Sequence, residues 1–213
     1  PETTKAPETT KNSETTKVPA TPDSPVDTSP NVMDIDFESL ISKSSGSLKT
    51  AHQWFSEREP TNKNAYTGMF EGKNLICITV EGWAPAAINE KLTPTLYKMK
   101  NEGFVFENYY CSNWGGSTAT GEYAVMTGNF YASSSCLKKS ASNYMPFVLG
   151  NMMGSLGYKS NGFHNHTYTY YSRDKSHPNF GYGWHGVNNW DVEFTKGWPK
   201  SDRELAVNTL SYI

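Results

Sequence analysis

Thr118 stands in the run Asn113-Trp114-Gly115-Gly116-Ser117-Thr118-Ala119-Thr120-Gly121-Glu122-Tyr123, where small hydroxyl residues and glycines crowd a loop-to-helix junction. The first N–H groups of a helix lack intrahelical partners and its dipole is positive at that end. An alkoxide or phosphate is favoured there by about 0.3–1 kcal/mol. A hydroxyl is still a poor nucleophile near neutral pH and needs a base or a coordinated cation to ionise usefully. The run Asn74-Leu75-Ile76-Cys77-Ile78-Thr79-Val80 reads as a short buried strand that ends on Glu81, a hard oxygen ligand suited to magnesium or manganese. A carboxylate at a strand tip and a hydroxyl at a helix start can share one ion. The plainer alternative is that 115–121 is only a turn and helix cap and that Glu81 faces solvent.

The elements that must position these residues follow from apolar spacing and stop signals. Met33, Phe37, Leu40 and Ile41 have helical spacing, as do Leu48, Ala51 and Phe55 after a Ser47 N-cap, with Pro60 as the stop. Thr93-Pro94 opens a helix with Leu96 and Met99 on its apolar face, and Gly103 ends it. The run from Phe104 to Tyr110 reads as the next strand. Pro146 opens a helix whose Leu149, Met152, Met153 and Leu156 form an apolar stripe closed by Gly157, and Tyr158 to Phe163 return as a strand. Alternating strands and helices predict an α/β fold, a mostly parallel central sheet flanked by helices. Ligands of such sheets gather beyond the carboxyl ends of strands, where Glu81, the 115–122 loop and His164 fall. The last helix begins at Ser201 with Glu204 as its capping-box partner and places Ala206, Leu210 and Ile213 on one face. A chain ending inside that helix is expected to be a fragment.

Composition narrows the function. Residues 1–32 repeat Glu-Thr-Thr-Lys every six residues and then pass through Pro19, Pro22, Pro25 and Pro30, so they predict an extended, solvated tether. Residues 33–65 form a helical lead-in, and 66–213 the one domain with a core. A net charge of −2 with scattered lysines and arginines presents no basic stripe, which argues against nucleic acid. No stretch reaches the roughly 18 apolar residues of a membrane span, and the start lacks a secretion signal, so a membrane anchor would belong to a segment absent from this chain. Three cysteines follow no zinc-ligand spacing. In an oxidising compartment Cys111 and Cys136 can close a loop around the hydroxyl-rich run, worth on the order of 3 kcal/mol; otherwise they are two unpaired thiols.

Several motifs, in order, resemble one family. They are Lys73 to Trp83, Leu92-Thr93-Pro94-Thr95-Leu96, Gly115-Gly116-Ser117-Thr118, Gly157-Tyr158 and His164, and they resemble the extracellular catalytic domain of lipoteichoic acid synthases, in the alkaline phosphatase and sulfatase superfamily. The resemblance runs from about Tyr66 to the end. It implies that Glu81 is the first metal carboxylate and Thr118 the nucleophile, itself a ligand of a manganese or magnesium ion, with Ser117 and Thr120 as competing hydroxyls. Sulfatases proper carry a Cys/Ser-x-Pro-x-Arg motif, and neither 117–121 nor 111–115 has its proline and arginine. Sulfate-ester hydrolysis is therefore disfavoured, and phosphoryl transfer through a phospho-threonine is implied instead.

The segment from His164 to Asp174 resembles the part of that family that holds a glycerol phosphate headgroup. By that resemblance His164, His166, Tyr171 and Arg173 are substrate-binding residues, with Tyr171 standing where the family has tryptophan. Arg173 can fork two N–H donors onto a phosphate. The bland alternatives are loop histidines and a surface ion pair between Arg173 and Asp174 worth under about 1 kcal/mol. His177 and His185 carry a weaker signal, and His52 reads as structural.

The resemblance implies a metal-dependent phosphoglycerol transferase at the extracytoplasmic face of a cell membrane. Its partners would be a phosphatidylglycerol-like lipid and a glycerol phosphate polymer. The family's Asp-His pair and further histidine lie beyond the last residue here, so the fragment alone is expected to be inactive. Rival expectations are a phosphoethanolamine transferase or phosphate-ester hydrolase of the same superfamily, or a non-catalytic envelope scaffold.

Overall fold

By its internal contacts the chain divides after Leu75 into two units, 1–75 and 76–213. The computed structural model describes residues 25–80, 83–110, 118–131, 133, 135–195 and 201–213. Glu81, Cys111, Ser117 and the repeat at the start of the 1–32 run lie outside the described residues.

In the first unit, α1 (Phe37–Ser42) is capped by Asp36, whose carboxylate accepts the Ser39 N–H at 2.9 Å. Helix α2 (Gly46–Ser56) follows Ser45 rather than the expected Ser47. Ser45 has the extended backbone a cap position requires, with φ −140° and ψ 167°. Neither helix buries a residue. The rest of the unit is closed by an antiparallel bridge between Pro30 and Asn62 and an ion pair between Lys63 and Asp27 at 2.9 Å.

The second unit holds α3 (Pro94–Glu102), α4 (Thr118–Thr127), α5 (Cys136–Ser140), α6 (Leu149–Ser155), β1 (Ser160–Thr167), α7 (Arg173–Asn179), β2 (Tyr182–Val187) and α8 (Asp202–Thr209). Helix α3 has the predicted punctuation, Thr93 before it, Pro94 at its first position and Gly103 at its end. Gly157, at φ 87°, turns the chain out of α6 toward β1. β1 and β2 pair in parallel, with Ser160 opposite Tyr182 and Phe163 opposite His185, and a bulge interrupts the ladder before Thr167 pairs with Val187. α7 packs on β2 and α8 on β1, so this is an α/β arrangement.

The core is small. Leu137, Val148 and Phe180 are buried together, with Ala119, Met126, Met145 and Tyr182 packed against them. Gly150 explains how α6 comes so close to β2. A methyl group there would lie 2.3 Å from the Phe180 carbonyl oxygen and 2.8 Å from the Tyr182 ring.

Four sequence expectations are corrected. Residues 74–80 and 104–110 form no strand, and Leu75, Ile76, Ile78 and Val80 are 55–76% exposed. An apolar run records a preference for burial, but a strand exists only where another strand satisfies its N–H and C=O groups. β1 begins at Ser160 and runs on to Thr167, so His164 and His166 lie within the strand and not beyond it. Glu204 does not close a capping box, because its carboxylate accepts the backbone N–H and the hydroxyl of Thr195 instead. The face of Ala206, Leu210 and Ile213 is exposed, and α8 is tied down through its start: Asn165 donates to Ser201 Oγ at 2.9 Å and to Asp202 Oδ1 at 2.6 Å.

Candidate active site

A short 3-10 turn, Tyr170–Ser172, delivers the chain from β1 into α7 with two consecutive residues in left-handed conformation, Tyr171 at φ 58° and Ser172 at φ 59°. Neither is glycine, so each conformation costs on the order of 1–3 kcal/mol that the surrounding structure must offset. The turn brings Arg173 into the interior, where the residue is 2% exposed. Its guanidinium carbon lies 5.2 Å from the centroid of the Tyr171 ring, 5.8 Å from Tyr170 and 5.9 Å from Trp184. Aromatic faces attract a cation at these separations, more so away from water.

Glu122 supplies the countercharge. Arg173 Nε donates to its two carboxylate oxygens at 2.9 and 3.0 Å, and His177 Nε2 donates to Oε1 at 2.9 Å. Arg173 and His177 are four residues apart on α7 and so present their side chains to the same acid. Burial by itself would raise the Glu122 carboxyl, but the hydrogen bond from His177 and the charge of Arg173 outweigh it and hold the group below its ordinary value. Ser176 Oγ lies 3.2 Å from His177 Nδ1 and completes the line of contacts. Arg173 Nη1 is buried and has no hydrogen-bond partner among the described residues. A buried cationic donor left unpaired is costly, and an anion reaching it would remove that cost.

The residues expected from sequence take the following places. Thr118 is the first residue of α4, half-buried, and one helical turn before Glu122 on the same face. Ala119 packs on the core and sets the rotation of that first turn. Tyr171 and Arg173 are in direct contact. His164 and His166, on one face of β1, have ring centroids 6.0 Å apart; His164 lies 6.4 Å from Trp184 and His166 4.7 Å from Tyr170. The His166 backbone N–H donates to His164 Nδ1 at 3.1 Å, which leaves the proton of a neutral His164 on Nε2. Trp184 thus joins His164 to Arg173, Tyr170 joins His166 to it, and Glu122 joins Arg173 to the helix that Thr118 begins.

Arg173 is not the exposed partner of Asp174; its partner is Glu122. Glu81 and Cys111 lie outside the described residues, while Cys136 opens α5 and is half-buried. Among the described residues no three His, Cys, Asp or Glu side chains gather as a metal site. Thr118 is the one described member of the expected ligand pair, so the described side chains do not make up an ion site.

Sequence reasoning passed over Glu122 and Trp184 and ranked His177 low. A local signal existed for two of them. Glu122 is four residues after Thr118, and His177 four after Arg173, the spacing that puts both members of a pair on one helix face. The face of β1 opposite the site is lined by Phe163, stacked on His185 at 5.0 Å and 13°, with Trp190 and Tyr212 around them.

Comparison with known proteins agrees with an α/β domain. The family model described as Sulfatase matches residues 73–213, and the chain belongs to that family. It is 31% identical over 121 residues to lipoteichoic acid synthase 2 of Bacillus subtilis (strain 168), a match that takes in 53% of this chain and 18% of that protein. The chain therefore spans under a fifth of the length of this relative. No solved structure matches. Membership places the chain with enzymes that transfer or hydrolyse ester-linked groups such as phosphoesters, and such enzymes generally depend on a divalent metal. No helix among the described residues is long and apolar enough to cross a membrane.

Proposed function

We propose that this chain is part of a phosphoglycerol transferase that works at the extracytoplasmic face of a cell membrane, with a phosphatidylglycerol-like lipid as donor and a glycerol phosphate polymer of the cell envelope as acceptor. Thr118 is the nucleophile, and a divalent ion, Mn2+ or Mg2+, is the cofactor, with Glu81 and Thr118 among its ligands. The observation that supports the reading best is the linkage of two groups. A threonine begins α4, and one turn later Glu122 of the same helix holds the buried Arg173, whose Nη1 has no hydrogen-bond partner among the described residues.

The chemistry runs in two displacements. Thr118 Oγ1 loses its proton and attacks the lipid phosphorus; the bond from phosphorus to the diacylglycerol oxygen breaks, and diacylglycerol leaves after taking up a proton. A terminal glycerol hydroxyl of the polymer then attacks the same phosphorus, loses its proton, and expels Thr118 Oγ1, which is reprotonated. Arg173 faces the negative charge that gathers on the phosphoryl oxygens, and its enclosure among Tyr170, Tyr171 and Trp184 strengthens that interaction by excluding water. His164 and His166 border the headgroup.

Thr118→Ala in the full-length protein is expected to abolish transfer of glycerophosphate from phosphatidylglycerol and, with it, the covalent glycerophosphoryl-enzyme detectable by mass spectrometry. Wild-type turnover in that variant refutes the assignment. With phosphatidylethanolamine offered in competition, preferential transfer of phosphoethanolamine would reassign the donor while leaving Thr118 in its role.

A further inference from the structure

Arg173 could have been neutralised by an acid on any neighbouring element. The acid it meets is on α4, 51 residues earlier in the chain and one turn after Thr118. Both Glu122 oxygens accept from Nε, at the stem of the guanidinium, at 3.0 and 2.9 Å. A carboxylate gripping Nε fixes the rotation of the planar fork and leaves its far end for something else; Nη1 is the buried donor with no partner among the described residues. The carboxylate is itself held. His177 Nε2 fixes Oε1 at 2.9 Å, and Ser176 Oγ lies 3.2 Å from the other nitrogen of that ring.

We propose that Glu122 is a positioning residue. It locks the rotation of the Arg173 guanidinium and couples it to the start of α4, so that the nucleophile's helix and the phosphate-facing donor keep one relative placement. His177 serves the same end one step removed, by holding the plane of the Glu122 carboxylate. The inference rests on the reading above, in which Thr118 and Arg173 face one phosphoryl group.

The test is a double-mutant cycle in the full-length protein, with vesicles of phosphatidylglycerol and phosphatidylcholine as donor and a thermal melt for every variant. Glu122→Gln keeps the size and loses the charge and one acceptor; it is expected to lower kcat/KM about 10- to 100-fold, the range seen when the groups that orient an active-site ligand are removed. The decisive term is its effect in an Arg173→Lys background. A residue that acts through Arg173 has nothing left to position there, so the double variant should be no slower than Arg173→Lys alone. Glu122→Asp, which keeps the charge but falls short, should fail to restore the wild-type rate.

Equal losses from Glu122→Gln in both backgrounds overturn the proposal, and so does full rescue by Glu122→Asp. If Glu122→Gln does not fold, His177→Asn takes its place, with an expected loss of about 10-fold in the wild-type background and none beside Arg173→Lys. Equal losses in the two backgrounds again overturn it. Wild-type rates for both Thr118→Ala and Arg173→Lys would sink the functional reading itself, a result separable from the failure of Glu122 alone.

Discussion

Two ion pairs in this chain have the same nitrogen-to-oxygen distance, 2.9 Å, and opposite surroundings. Lys63 and Asp27 meet in the first unit with side chains 34% and 60% exposed, whereas Arg173 and Glu122 meet in the second at 2% and 21%. The exposed pair is assembled around backbone turns, with Asp27 also accepting the Ser29 N–H at 2.9 Å, and water solvates either partner if the other is lost. The buried pair has no such fallback. Its charges are already desolvated, so removing one strands the other. Identical distances thus describe a surface decoration in one unit and a structural and chemical commitment in the other.

The comparison can be broken most directly with Glu122→Ala. Removing one partner of a buried pair costs about 3–5 kcal/mol, and the lower end is expected because Glu122 keeps some exposure. Chemical denaturation of the second unit measures the loss. A change indistinguishable from zero would put the buried pair in the same class as the surface one.

Acid sharpens the contrast next. The Glu122 carboxyl is held below its ordinary value of 4.5, so near that pH the unfolded chain binds the proton that the folded chain refuses. The stability it contributes is complete above about pH 4.5 and is lost as the pH falls through the lower folded value. Glu122→Gln should flatten this part of the stability profile of the second unit. An unchanged acid slope would mean that the carboxyl is not what titrates.

The smallest effect is expected from Asp27→Asn. Its carboxyl is also held low, by the Lys63 hydrogen bond first and the Ser29 N–H next, but the group stands in water. The melting temperature should stay unchanged within error. Raising salt from about 0.1 M to about 1 M shortens the Debye length from about 10 Å to about 3 Å, which should erase the Asp27–Lys63 attraction and spare Glu122–Arg173. Equal salt sensitivity of the two pairs would undo the distinction drawn from their burial.

Much of the local structure was legible from residue order. Thr93-Pro94 and Gly103 bracket α3, Thr118 does begin a helix, and Gly157 does end one, because capping and left-handed turns depend on the residues in the turn itself. The runs 74–80 and 104–110 misled for the opposite reason: their composition suits a sheet, but pairing depends on a partner that no local window contains. At the site, Thr118, Tyr171 and Arg173 drew attention from sequence, while Glu122 did not and His177 carried only a weak signal, although each stands at helical spacing from one of them. Spacing marks two residues as neighbours on a helix; it does not name what lies across from that face.

Residue order alone therefore determined where helices start and stop, that a hydroxyl occupies the positive end of α4, and which family the motif series resembles. The tertiary structure alone decided that Arg173 turns inward, that its partner is Glu122, and that its buried Nη1 has no hydrogen-bond partner among the described residues. Helix ends and dipoles arise from hydrogen bonds within a few residues. The charge cluster requires closing a loop of 51 residues, and its worth depends on how much water the closure removes, a quantity that exists only once the chain has packed.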